Sequence, residues 1–146
     1  MTGKKTKISC QNCGQTNYYP ENPGSKAVVC GHCHHPLPRP GEVIEINQVQ
    51  AANLINKSSL PVLVDFYSNS CGPCMIMAPV VERLAQRRAG ELMVVKVDVD
   101  RNPELAAQMG ITSVPTLVVL HKNVERGRIS GAISEMDLAL WVARIA

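Results

Sequence analysis

The chain has 146 residues, 45% of them hydrophobic and 18% charged, with a formal net charge of +3. That balance suits a globular chain that buries a core, one ordinary domain or a small domain with an appendage. The apolar runs are too short to span a bilayer, and MTGKKTKISCQNC at the start lacks the apolar stretch of a secretory signal.

A cytoplasmic location is therefore the expectation. In a reducing cytosol, six cysteines read as metal ligands and catalytic thiols before structural disulfides. The charge is uneven. Residues 1–41 hold Lys4, Lys5, Lys7, Lys26 and Arg39 against Glu21, a balance of +4, whereas residues 42–146 balance at −1. Four zinc-bound thiolates would add a net −2 to the first segment and halve its excess. No nucleic-acid partner and no membrane contact are expected.

Taken in chain order, the first 35 residues are polar, punctuated by Gly and Pro, and hold four of the six cysteines. Cys10-x2-Cys13, sixteen residues, then Cys30-x2-Cys33 has the spacing of a tetrathiolate zinc site. Each CxxC turn presents two sulfurs about one tetrahedral edge apart, and two turns close the shell. Gly14 and Gly31 suit the tight backbone there. The segment has too little apolar mass to fold alone, so metal binding would supply its folding energy. One structural zinc in a zinc-ribbon-like subdomain (1–35) is expected, with two disulfides or a redox-labile cluster as alternatives. His32, His34 and His35 could replace a sulfur, but four sulfurs already complete the site. Tyr18 and Tyr19 read as packing over the ribbon rather than as a base-stacking platform.

Three prolines within Pro36–Pro40 predict an extended, semi-stiff linker over 36–41 that keeps the two cores apart. From Glu42 the pattern changes to segments of strand and helix length, predicting a second domain over 42–146. Strand 43–46 leads to Asn47, a helix cap, and a helix to about Lys57. Pro61–Tyr67 is nearly all apolar, as expected of a strand buried on both faces. A helix over 74–88 contains Pro79, which predicts a kink. A strand at 92–99, a short helix from Asn102-Pro103 and a strand at 116–121 follow. Lys122-Asn123 suits a turn into a strand at 125–130. Ser134–Asp137 is a capping-box variant before a helix over 138–145. The order βαβαβαββα implies a mixed sheet with helices on both faces, an α/β fold.

The third pair, Cys71-Gly-Pro-Cys74, has no second CxxC to complete a tetrahedron. It follows a buried strand and opens a helix. Gly72 permits the sharp turn, and Pro73 is pre-shaped for a first helical turn. Cys71 would then sit just before a helix N-terminus, whose free N–H groups and dipole stabilise a thiolate. Cys74, one turn in and shielded, could attack the mixed disulfide that forms. A catalytic dithiol is the reading these residues favour.

Val62–Tyr67, Cys71-Gly-Pro-Cys74, Ala78-Pro79, Val97–Asp100, Val114-Pro115-Thr116 and Gly131-Ala132 together resemble the thioredoxin family in order and spacing, over essentially all of 42–146. With its cysteine-rich start, the whole chain resembles the family's zinc-containing branch. The resemblance implies a thioredoxin fold with an N-terminal zinc ribbon. It implies Cys71 as attacking thiol and Cys74 as resolving thiol. Asp65 matches the buried aspartate that helps move the resolving proton, and burial should raise its pKa. Lys96 matches the lysine near it, with a plain surface strand residue as the alternative. Pro115 matches the cis-proline facing the dithiol, and Gly131 a groove glycine. Substrate would then lie against Ser70, Gly72, Pro73, Val114, Pro115 and Gly131.

The chain departs from the family pattern at several points. Ser70 replaces the usual tryptophan before the first cysteine, Tyr67 another common aromatic, Met75 a frequent lysine, and Asn123 a turn glycine. Ser70 removes apolar contact surface without removing any atom the exchange chemistry needs. The expected function is a monomeric protein-disulfide reductase, acting on disulfide-containing client proteins and recycled by a thioredoxin reductase. No motif implies an organic cofactor. Rival readings are a zinc-ribbon adaptor on a thioredoxin scaffold and a sensor that releases zinc on oxidation.

Overall fold

A computed structural model of the chain describes residues 6–20 and 26–146. Lys4, Lys5 and Glu21 of the charge balance lie outside the described residues. Two short strands open the molecule, β1 (Thr6–Ser9) and β2 (Thr16–Tyr19), paired antiparallel with Thr6 opposite Tyr19. Backbone bonds close each CxxC turn. Gly14 N–H donates to the Cys10 carbonyl at 2.7 Å, and His34 N–H to the Cys30 carbonyl at 3.0 Å.

Beyond them run β3 (Ile44–Glu45), α1 (Gln48–Lys57), β4 (Val62–Tyr67), α2 (Gly72–Arg87), β5 (Met93–Asp98), α3 (Pro103–Gln108), β6 (Thr116–His121), β7 (Val124–Ser130) and α4 (Glu135–Ile145). This is the expected order. The sheet reads β3-β5-β4-β6-β7, its first three strands parallel and the last two antiparallel.

Capping moves three boundaries away from the sequence reading. β3 is only two residues long because Asn47 and Gln50 form a reciprocal capping box, at 2.9 and 3.1 Å, that turns the chain into α1. Helix α2 starts at Gly72 rather than Cys74, since Pro73 needs no N–H donor in the first turn and Cys71 serves as N-cap. It continues through Pro79. Helix α4 starts at Glu135, with Ser134 Oγ accepting from Asp137 N–H at 3.1 Å.

Alternation along β4 separates two cores. Val62, Val64 and Phe66 pack with Leu54 of α1 and Leu105 of α3. Leu63 packs on the other face with Met77, Val81 and Leu84 of α2 and Leu138 of α4. Asp65 shares the register of Leu63, so it points to the α2 face.

The proline-rich joint does not keep two cores apart. Ile8 and Tyr19 are buried in the same cluster as Ile46, Ala51 and Leu54, with Val28 and Leu37 packed against it. Strands of four residues cannot bury Ile8 and Tyr19 by themselves, and the cluster that includes Ile46, Ala51 and Leu54 supplies the missing apolar surface. Polar contacts fix the docking. The Ser9 and Ser58 hydroxyls lie 2.7 Å apart in a buried setting, and Asn53 Nδ2 donates to the Asn12 carbonyl at 2.8 Å. Gly14, at φ +80°, sits so close to α1 that a Cβ there would stand 2.5 Å from Asn53 O.

Candidate active site

After β4 ends at Tyr67, the loop 68–70 turns the chain into α2. Cys71 and Cys74 are joined as a disulfide, with Cα atoms 5.3 Å apart. Cys71 is half-buried and Cys74 only 6% exposed, so a partner reaches Cys71 first. The Cys71 Sγ accepts from Cys74 N–H at 3.1 Å, which directs a free donor of the helix terminus at the sulfur. A thiolate at that position gains from the same donor.

Val114 O lies 3.6 Å from Cys71 Sγ. The Val114–Pro115 peptide is cis, and the Pro115 carbonyl accepts from Gly131 N–H at 2.9 Å. Cys71, Val114, Pro115 and Gly131 are thus brought together from three separate stretches of chain. Ser70, Gly72 and Pro73 are exposed around them. Ser68 Oγ donates to Asp100 Oδ2 at 2.6 Å, and Asn69 Nδ2 to Asp98 Oδ2 at 3.2 Å, so carboxylates pin the loop that carries Ser70. Met75 and Ile76, 71% and 67% exposed, add an apolar rim on α2 that the sequence reading missed. Their spacing held the signal, since both fall off the buried stripe of Met77, Val81 and Leu84.

Behind the dithiol lies a cavity of about 220 Å³, lined among others by Asp65, Tyr67, Ser68, Cys74, Met75 and Lys96. Asp65 and Lys96 are direct partners across β4 and β5. Burial pushes the Asp65 carboxyl up to about 6, against the opposing pull of Lys96. Asp65 Oδ1 has no hydrogen-bond partner among the described residues. Lys96 Nζ stands 5.6 Å from the centre of the Tyr67 ring, and the Tyr67 hydroxyl donates to Glu45 Oε2 at 2.6 Å. Burial, and then the Glu45 carboxylate, raise the Tyr67 phenol above its ordinary value. Glu45 was not foreseen. A strand of two residues gave no pattern from which to place it opposite Lys96.

Residues 42–144 match the family model for thioredoxin. Thioredoxin C-3 of Corynebacterium nephridii is 39% identical over 135 residues, which cover 92% of each chain. The thioredoxin of Haemophilus influenzae is 36% identical over 101 residues, 69% of this chain and 94% of its own. A single-site mutant thioredoxin from Halobacterium salinarum superposes with a TM-score of 0.67 at 32% identity, covering 74% of this chain and 94% of that one. The chain belongs to the thioredoxin family. It is a thiol-disulfide oxidoreductase on the thioredoxin fold, and no helix among the described residues is long and apolar enough to cross a membrane. The Corynebacterium match, at 92% of the chain, extends past the thioredoxin domain into the cysteine-rich segment.

In that segment this thioredoxin brings Cys10, Cys13, Cys30 and Cys33 together, their sulfurs all within 4.8 Å of one another. The Cys10–Cys33 and Cys13–Cys30 sulfurs are each 3.7 Å apart. A tetrahedron with metal–sulfur bonds of about 2.3 Å has edges of about 3.8 Å, so the set fits a tetrahedral ion. Asn12 N–H points at Cys10 Sγ and His32 N–H at Cys30 Sγ, both at 3.4 Å, and Asn17 Nδ2 at Cys30 Sγ at 3.5 Å. Such donors stabilise thiolates. Burial first, and then the neighbouring thiols of Cys33 and Cys13, push the Cys10 thiol up to about 12, a cost that a cation among the sulfurs would offset. His32 and His34 are exposed, and no histidine joins the cluster among the described residues.

Proposed function

We propose that this thioredoxin is a protein-disulfide reductase of the zinc-containing, thioredoxin 2 type, with Ser70 in place of the usual tryptophan. One observation carries the reading: a dithiol pair capping a helix, its outer sulfur on a helix N–H and beside Val114 O. In the reduced protein the Cys71 thiolate attacks one sulfur of a client disulfide. A mixed disulfide forms, and the client's other sulfur leaves as a thiolate. Cys74 then gives its proton to the Asp65 carboxylate and attacks Cys71 Sγ. The bond from Cys71 to the client breaks, the client sulfur leaves with its electron pair, and the Cys71–Cys74 disulfide remains. Two electrons have passed to the client, and a thioredoxin reductase returns them.

Lys96 adjusts the Asp65 carboxyl through its charge. Ser70, Gly72, Pro73, Val114, Pro115 and Gly131 form the surface on which an extended client segment lies. Cys10, Cys13, Cys30 and Cys33 would hold one zinc ion that stabilises the N-terminal fold and takes no part in the exchange. Residues 1–35 make the metal-bearing subdomain, 36–41 the joint and 42–146 the redox domain. The protein acts as a monomer in the cytoplasm, without nucleic acid or organic cofactor. Reduction of a protein disulfide by the chain and by Cys71→Ser tests the reading. The variant should be inactive, and retained turnover would remove Cys71 from the chemistry.

A further inference from the structure

Glu45, Lys96 and Asp65 form a row across three parallel strands. Glu45 is directly opposite Lys96 between β3 and β5, and Lys96 directly opposite Asp65 between β5 and β4. Side chains in such a row share one face of a sheet, here the face covered by α2. Opposite charges set directly across from one another attract, so Glu45 is the natural partner of the Lys96 ammonium. Its carboxylate is instead engaged by the Tyr67 hydroxyl at 2.6 Å. Lys96 makes no direct ion pair among the described residues, and its Nζ rests 5.6 Å from the Tyr67 ring centre. One tyrosine thus occupies the competing carboxylate with its hydroxyl and carries the ammonium on its face. Tyr67 and Lys96 both line the cavity that holds Asp65 and Cys74.

We propose that the Tyr67–Glu45 hydrogen bond positions Lys96 for Asp65, by stopping the Glu45 carboxylate from drawing the lysine out of the cavity. This rests on the reading of Asp65 as acceptor of the Cys74 proton. In the resolving step that proton moves to Asp65 as the Cys74 sulfur bonds to Cys71 and the client sulfur departs. The charge of Lys96 sets the pH above which Asp65 is free to accept it. The groups facing Asp65 are Lys96 from β5, Tyr67 from its own strand with Glu45 of β3 behind it, Cys74 from α2, and the apolar Leu117 from β6. Asp98 and Arg101 act on the Tyr67 phenol from the end of β5. Tyr67 and Glu45 are therefore positioning residues, one step removed from the reacting atoms.

Tyr67→Phe keeps the ring but releases Glu45 to pair with Lys96, which withdraws the cation from Asp65. Two readouts follow the effect: the Asp65 titration in the reduced protein, by carboxyl-carbon NMR, and the pH profile for release of a chromogenic aromatic thiol from its mixed disulfide with Cys71. Both should move up by about half a pH unit or more, roughly a three-fold change in the ionisation constant. Glu45→Gln/Tyr67→Phe should return both toward the parent, because no carboxylate remains to take the lysine. A packing defect would not be rescued in that way. Should Tyr67→Phe not fold, Glu45→Asp, whose carboxylate is too short for the hydroxyl but still faces Lys96, should give the same upward move. No shift in the single variants, or no return in the pair, overturns the positioning role. Failure of the underlying reading looks different: the parent's release profile would be unaltered by Asp65→Asn, while the NMR titration would still respond to Tyr67→Phe.

Discussion

Asp65 stands directly opposite Lys96 on adjacent parallel strands, yet the two side chains form no direct ion pair. Burial therefore outweighs attraction, and the carboxyl is pushed up to about 6. In the unfolded chain an aspartate titrates near 3.9 by its ordinary value. Between about pH 4 and 6 the folded state binds more protons than the unfolded one, so stability falls as pH rises through that window. Above it, the full cost of a buried carboxylate, about 2–3 kcal/mol, is present. Asp65→Asn should thus be more stable than the parent by about that amount at pH 7.5, with the gain fading below pH 4. Denaturant unfolding at pH 3.5 and 7.5 measures it. An equal gain at both pH values would rule out charge burial as the cause.

The cysteine cluster and the dithiol should separate cleanly in metal content. We expect one zinc per chain, retained in Cys71→Ser/Cys74→Ser and lost in Cys30→Ser, whose sulfur accepts from His32 N–H and Asn17 Nδ2. Metal analysis after gel filtration decides it. Metal lost from the dithiol variant would reassign the ligands.

Ile8 is 2% exposed and buried against the face that α1 and α3 cover. Ile8→Ala should destabilise the molecule by about 2–4 kcal/mol, and in a single transition that includes the redox domain. Two transitions, with only the weaker one shifted, would mean that the segment unfolds on its own despite the shared packing.

Ser70 is exposed beside Cys71, on a loop held by Asp98 and Asp100. A tryptophan there supplies the flat apolar area that often dominates a docking interface. Ser70→Trp should raise turnover with a thioredoxin reductase by about ten-fold, the equivalent of about 1.4 kcal/mol, while changing exchange with small disulfides little. Parallel kinetics with the two substrates provide the comparison. Equal gains would show that residue 70 acts on the thiol itself and not on docking.

The parts legible in the sequence were those with local causes. Cys71-Gly-Pro-Cys74 marks a strand-to-helix turn, the run Val62–Phe66 has no exposed face to encode, and the Cys10/Cys13 and Cys30/Cys33 spacing states its own geometry. Contacts made across long separations were not legible. Nothing near Ile8 or Tyr19 indicates that α1 will cover them, and prolines at 36, 38 and 40 read equally well as spacer or as a close-packed corner. The Glu45–Tyr67 bond depends on strand register, which no helix-period or strand-period pattern in a two-residue strand can announce.

The shared packing of Ile8 and Tyr19 has a bearing on how the chain is made. Synthesis delivers the N-terminal residues first, and all four sulfurs of the cluster lie at or before Cys33. All four sulfurs can therefore clear the ribosome while α1 is still inside its exit tunnel. The segment's apolar side must then wait, uncovered, until Ile46, Ala51 and Leu54 have left the ribosome. The earliest part of this protein to emerge thus depends for its shelter on residues that follow it, and its apolar side is open to misassociation in the interval between the emergence of Cys33 and that of Leu54.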